Sequence, residues 1–112
     1  MEAYLDNSAT TPLCKEAIDK VNFALTSCWG NPSSLHANGI ASSELLEESR
    51  NVIAGKLSCE PSEIVFTSGG TESNNMALIG SALANARAGK HIITTCFEHA
   101  AVYEPLLYLE KM

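Results

Sequence analysis

Hydrophobic and polar positions alternate along this chain in two periods, and the switch between them predicts its elements. Cys14, Ala17, Ile18, Val21, Ala24, Leu25 and Cys28 recur at helical spacing, with Lys15, Glu16, Asp19 and Lys20 mostly off that face. A helix is therefore expected to about Cys28, with Thr11 as N-cap and Pro12 at the first helical position. Trp29-Gly30-Asn31-Pro32 breaks it, and Ser33 or Ser34 suits the start of the next element. Leu45, Leu46, Val52, Ile53 and Leu57 place a second helix over roughly 35–57, with Gly39 weakening its first turns. Glu60-Pro61-Ser62 reads as a turn.

The pattern then changes. Ile64-Val65-Phe66-Thr67 is β-branched and aromatic, which predicts a short buried strand over 63–67. Gly69-Gly70 forms a turn, and a third helix is expected over about 71–88 on a stripe of Met76, Ile79, Gly80 and Leu83, with Gly80 permitting close packing on a sheet and Gly89 as its left-handed cap. His91–Cys96 reads as a second strand, and a last helix is expected over about 101–111 with Val102, Leu106 and Leu109 inward. Strand, helix, strand implies a right-handed parallel βαβ unit, hence an α/β fold. Two strands and four helices leave each sheet face partly bare and both edges open, so the chain is expected to be the front part of something larger rather than a complete domain.

Composition narrows the function classes. The 112 residues are 46% hydrophobic and 18% charged, with a net charge of −6, which argues against nucleic acid and anionic membrane surfaces as partners. No apolar run reaches membrane-spanning length, and Met1-Glu2-Ala3-Tyr4-Leu5-Asp6 has no signal-peptide pattern, so a cytoplasmic location is expected. Cys14, Cys28, Cys59 and Cys96 contain no C-x-x-C pair and read as reduced thiols, Cys14 and Cys28 on helix faces, with no metal site.

The candidate chemistry sits where the two expected strands end. Ser68-Gly69-Gly70-Thr71 leaves the first strand and opens a helix. That offers a hydroxyl and unpaired N–H groups to an anion, although the same turn also serves simple packing. It matches neither the P-loop nor the dinucleotide-binding pattern. Glu98-His99 leaves the second strand. Ligands in open parallel sheets bind beyond the carboxyl ends of strands, so the glycine turn and His99 are expected on one edge, and His91 is not. His36 beside the Asn31–Ser34 loop is expected to cap or pack. A phosphate seat next to an imidazole suits a flat phosphorylated cofactor such as pyridoxal 5′-phosphate.

Four stretches carry a resemblance: Tyr4–Pro12, Gly30–His36, Phe66–Asn75 and Glu98–Val102. In this order they resemble the cysteine desulfurases of the NifS/IscS type, class V aminotransferase-like enzymes of pyridoxal phosphate fold-type I. The resemblance implies a three-layer α/β/α large domain, with residues 1–13 as a lead-in segment near the active site and 14–112 as part of the cofactor domain. It implies that Gly70 and Thr71 bind the cofactor phosphate and that His99 stacks on the ring and does acid/base work. It implies conversion of L-cysteine to L-alanine with persulfide sulfur passed to an acceptor or iron–sulfur scaffold protein, in a homodimer. Selenocysteine lyase, another class V relative, or a non-catalytic phosphate-binding or interaction fragment are the alternatives. The Schiff-base lysine, the acceptor cysteine, the aspartate facing the ring nitrogen and the substrate-binding arginine of these enzymes have no match here, so the 112-residue chain by itself is expected to be inactive.

Overall fold

The computed structural model describes residues 3–112 and divides into two compact units, one ending at Ile64 and one running Val65–Met112. The first unit holds α1 (Lys15–Ser27), α2 (Ala37–Leu57) and a 3-10 turn at Pro61–Glu63. The second holds α3 (Gly70–Ala84) and α4 (Ala100–Glu110), which pack on each other. The first two residues of the expected lead-in segment lie outside the described residues; Asn7–Ala9 of that segment form a turn in which Ala9 N–H donates to Asp6 O at 3.2 Å.

The helix starts differ from expectation. Thr11 does not cap α1: Cys14 does, in an extended conformation and with no side-chain cap bond. Cys14 and Cys28 therefore bracket the helix rather than lying on its face. Neither serine starts α2. His36 caps it, and its Nδ1 accepts from Gly39 N–H at 3.3 Å. Ser34 instead closes the preceding turn by donating its N–H to Asn31 O at 2.9 Å.

Gly30 and Gly39 explain why this corner needs glycine. A Cβ on Gly39 would lie 2.3 Å from Ser34 O and 2.7 Å from Asn31 O; one on Gly30 would lie 2.4 Å from Asn38 O. The loop thus crosses the first turn of α2 at backbone distance. Ser42 ties the two together: its hydroxyl donates to Cys28 O at 2.7 Å and also lies 3.0 Å from Asn38 O. Farther along, the Arg50 guanidinium donates to Ile64 O, anchoring the end of the unit to α2.

Neither expected strand forms a ladder among the described residues. Residues 64–67 and 91–95 have no regular secondary structure, so the βαβ unit is not realised. The physical reason is pairing: a β-branched segment becomes a strand only when a neighbour takes its N–H and C=O groups in register, and among the described residues these two segments form no ladder with each other. α3 also ends earlier than expected, at Ala84, with Asn85 as its C-cap and a turn over 85–88, so Gly89 is not the cap. Its stripe is shifted. Asn75, Leu78, Ile79 and Ala82 are half-buried, whereas Met76 and Leu83 are exposed. A Cβ on Gly80 would meet nothing within 4 Å.

Burial is sparse. Ala54 and Ala101 are the buried hydrophobic residues among those described, while Leu35 (94% exposed), Phe97 (88%) and Ile93 (86%) stand in solvent. On α4, Ala101 and Pro105 are buried and Val102, Leu106 and Leu109 half-buried. Among the described residues no helix is long and apolar enough to cross a membrane.

The glycine corner makes a direct forecast. Gly39→Ala should destabilise the full-length polypeptide by about 1–3 kcal/mol in denaturant unfolding, the usual cost of overpacking. Gly55→Ala on the same helix, where a Cβ meets nothing within 4 Å, should be neutral or stabilising.

Candidate functional site

α3 begins on two glycines, and this sets the character of its N-terminus. Gly69 is the N-cap, extended at φ 165 and ψ 178, and supplies no side-chain cap. The first helical hydrogen bond runs from Ser73 N–H to Gly69 O at 3.1 Å, so the N–H groups of Gly70, Thr71 and Glu72 all precede it. A Cβ on either glycine would meet nothing within 4 Å. The cradle is therefore open above its backbone, and it carries the positive end of the helix dipole.

Local side-chain bonds hold the turn from both sides. Thr67 Oγ1 and Ser73 Oγ lie 2.6 Å apart, and each also reaches Gly69 O, at 3.2 and 3.3 Å. Two hydroxyl protons serve three contacts, so one hydroxyl donates to Gly69 O while the other donates to its neighbour. On the other side, Glu72 Oε2 accepts from Ser68 Oγ at 2.6 Å and from Ser68 N–H at 2.7 Å. These bonds, the side-chain one foremost, hold the Glu72 carboxyl below the usual carboxylate range. Asn75 Nδ2 donates to Thr71 O at 2.8 Å.

His99 has two tasks in one position. It is the N-cap of α4, with Nδ1 accepting from Ala101 N–H at 3.0 Å. Its carbonyl accepts from Val102 N–H at 2.8 Å and Tyr103 N–H at 3.1 Å. An accepting Nδ1 assigns the proton of the neutral ring to Nε2.

Thr71 and His99 line one groove of about 430 Å³ between α3 and α4. Ile79, Ala101 and Pro105 give it apolar surface; Asn75, Glu104 and Tyr108 add polar groups. Gly70 is not a lining residue and sits one position before Thr71. His91 lines a different groove of about 570 Å³ with Leu78, Ile92, Leu109 and other mainly apolar residues. Thus the structure brings Thr71 and His99 together and keeps His91 apart. Sequence reasoning missed Ser68 and Glu72 as a unit. The signal was present: a glutamate at the third helical position, as in a capping box, here reaching back one residue beyond the N-cap.

Among the described residues no group of three His, Cys, Asp or Glu side chains is placed to hold a metal ion. Cys14, Cys28, Cys59 and Cys96 are free thiols. The donor set suits a phosphate ester joined to a flat ring. It combines an open helix N-terminus and a hydroxyl with an imidazole 28 positions on, across an apolar-floored groove.

Comparison with known proteins identifies the family. The family model for aminotransferase class-V matches residues 3–112. Cysteine desulfurase IscS of Dictyoglomus turgidum is 50% identical over 111 residues, which cover 99% of this chain and 28% of that protein. The NifS/IcsS protein homolog of Lactobacillus delbrueckii subsp. bulgaricus is 49% identical, over 97% of this chain and 28% of its own length. Cysteine desulfurase IscS 1 of Archaeoglobus fulgidus is 43% identical, over 96% and 28%. A solved NifS-like protein superimposes with a TM-score of 0.87 at 38% identity, over 99% of this chain and 30% of that one. The chain thus spans a little over a quarter of the length of the relatives it matches.

Two measurements test the geometry without any ligand. The protection of the Ser68 amide, relative to its intrinsic exchange rate, should be greatest at neutral pH and weaken as pH falls through the lowered Glu72 value, because the ionised carboxylate is the stronger acceptor. His99→Ala should cost about 1 kcal/mol of stability as a lost cap, and His99→Asn, which keeps an acceptor, should recover most of it in thermal unfolding.

Proposed function

Because this chain belongs to the aminotransferase class-V family, we propose that it supplies the phosphate-binding turn and the acid/base histidine of a pyridoxal 5′-phosphate-dependent cysteine desulfurase. The observation that carries the reading is the placement of Thr71 and His99 on one groove, with α3 starting uncapped beside it. The relatives' names, cysteine desulfurase among them, favour L-cysteine over a selenium substrate.

The roles follow from the groups present. Gly70 and Thr71 hold the phosphate dianion through backbone N–H groups and the Thr71 hydroxyl, helped by the helix dipole. When bound, pyridoxal phosphate acts as the electron sink for bond cleavage in the amino acid. His99 would lie against the ring: Nε2–H is its donor while Nδ1 accepts from Ala101 N–H, and acid/base work takes a proton up at Nδ1 and gives it back, with the cap bond released while that proton is held. The cap bond fixes the ring's orientation while the ring is neutral, so protonation of His99 is coupled to loss of that bond at the start of α4. The net reaction converts L-cysteine and a thiol to L-alanine and a persulfide, and that sulfur then goes to an acceptor or iron–sulfur scaffold protein.

The same reading extends to the fold. Residues 63–67 and 91–96 become parallel strands of a three-layer α/β/α domain once further chain pairs with them. Their β-branched composition and the similarity to a NifS-like protein support this. Residues 1–13 then lead in near the active site, and 14–112 form part of the cofactor domain. A homodimer in the cytoplasm follows from the same resemblance, and the exposed Leu35, Ile93 and Phe97 are the kind of surface that further chain or a second subunit covers.

In the full-length polypeptide, Thr71→Ala should weaken pyridoxal phosphate about 10–100-fold, as loss of a hydrogen bond to a charged group does, and leave pyridoxal nearly unchanged. His99→Ala should lower alanine formation from L-cysteine by about 10²–10⁴-fold with a smaller loss of cofactor affinity. The 112 residues by themselves carry no candidate for the reactive lysine and should release neither alanine nor sulfide; sustained turnover would refute that expectation.

A further inference from the structure

We propose that Glu72 is a positioning residue for the phosphate seat: its carboxylate pins Ser68 so that the glycine turn is formed before the phosphate arrives. The proposal rests on the assignment of the Gly70–Thr71 turn to a phosphate.

The need for such a residue is visible in the turn itself. Gly69 and Gly70 have no side chains, and nothing packs within 4 Å of where their Cβ atoms would be. Glycine loses the most conformational freedom on ordering, so this turn is costly to hold still. Side-chain bonds from neighbouring residues restrain it: the Thr67–Ser73 hydroxyl pair on Gly69 O, one of the two donating, and Glu72 on Ser68. The Glu72 contacts are the charge-assisted ones, at 2.6 and 2.7 Å to a single oxygen. Glu72 takes up Ser68 N–H, which lies before the N-cap. The N–H groups of Gly70 and Thr71 stay outside this bond.

Charge argues the other way, and that makes the inference testable by sign. A carboxylate in the first turn repels an incoming dianion, so a purely electrostatic role means that removing it tightens phosphate binding. A positioning role means that removing it loosens binding. One oxygen accepts both Ser68 bonds, so the amide oxygen of glutamine is able to keep both while shedding the charge.

The test uses the full-length polypeptide, with dissociation constants for pyridoxal 5′-phosphate and for pyridoxal, and amide exchange over Ser68–Thr71 without ligand. Glu72→Ala is expected to weaken pyridoxal phosphate about tenfold, leave pyridoxal within about twofold, and accelerate exchange; Glu72→Gln is expected to restore both affinity and protection, or to bind tighter. Unchanged or tighter binding in Glu72→Ala overturns the proposal, as does faster exchange with no loss of affinity, which would make the contact merely structural. Thr71→Ala separates the two levels. If it discriminates pyridoxal phosphate from pyridoxal as well as the wild type does, the phosphate sits elsewhere and the role of Glu72 falls with it.

Discussion

A helix that starts on two glycines leaves its first N–H groups without a side-chain cap, and the second unit of this protein is arranged around that deficit. Ordinary caps place a serine, threonine or aspartate oxygen on those donors. Here Gly69 supplies none; the Thr67–Ser73 hydroxyl pair bonds to itself and to Gly69 O, and the Glu72 carboxylate accepts from Ser68. The turn is held by its flanks while its centre is left open. Such an arrangement suits an anion that arrives from outside the chain better than one made from its own side chains.

α4 solves the opposite problem at its own start. His99 caps it with Nδ1, which puts the neutral ring's proton on Nε2 and fixes the imidazole relative to the helix. The packing of α3 on α4 through residues such as Ile79, Ala101 and Pro105 then sets Thr71 and His99 on one groove. Neither residue is unusual by itself. Their coincidence depends on Ala101 and Pro105 being buried while the flanking polar groups stay accessible.

Much of this was legible in the residues. The helical periods located α1, α2, α3 and α4, because apolar spacing survives even where the face is uncovered. Their starts were less legible. Thr11-Pro12 looks like a helix start by local preference, yet Cys14 is still extended and α1 begins at Lys15. The serines before α2 lost to His36 because Ser34 already closes a turn on Asn31 and the loop passes Gly39 too closely. The two strands were legible as composition and not as pairing, since a strand depends on a partner that these segments do not provide for each other. For the site, the glycine turn and His99 stood out as chemistry, whereas the Ser68–Glu72 pair was hidden in the register of α3. Its glutamate reaches one residue farther back than a capping box does.

The central claim is that the open N-terminus of α3 and the imidazole of His99 hold two ends of one cofactor. A crystal structure of the full-length polypeptide soaked with pyridoxal 5′-phosphate tests it most directly. Phosphate oxygens are expected within hydrogen-bond distance of the Thr71 hydroxyl and the Gly70–Thr71 N–H groups, with the pyridine ring against His99. Phosphate density at another helix terminus, or a ring bound away from His99, would contradict it.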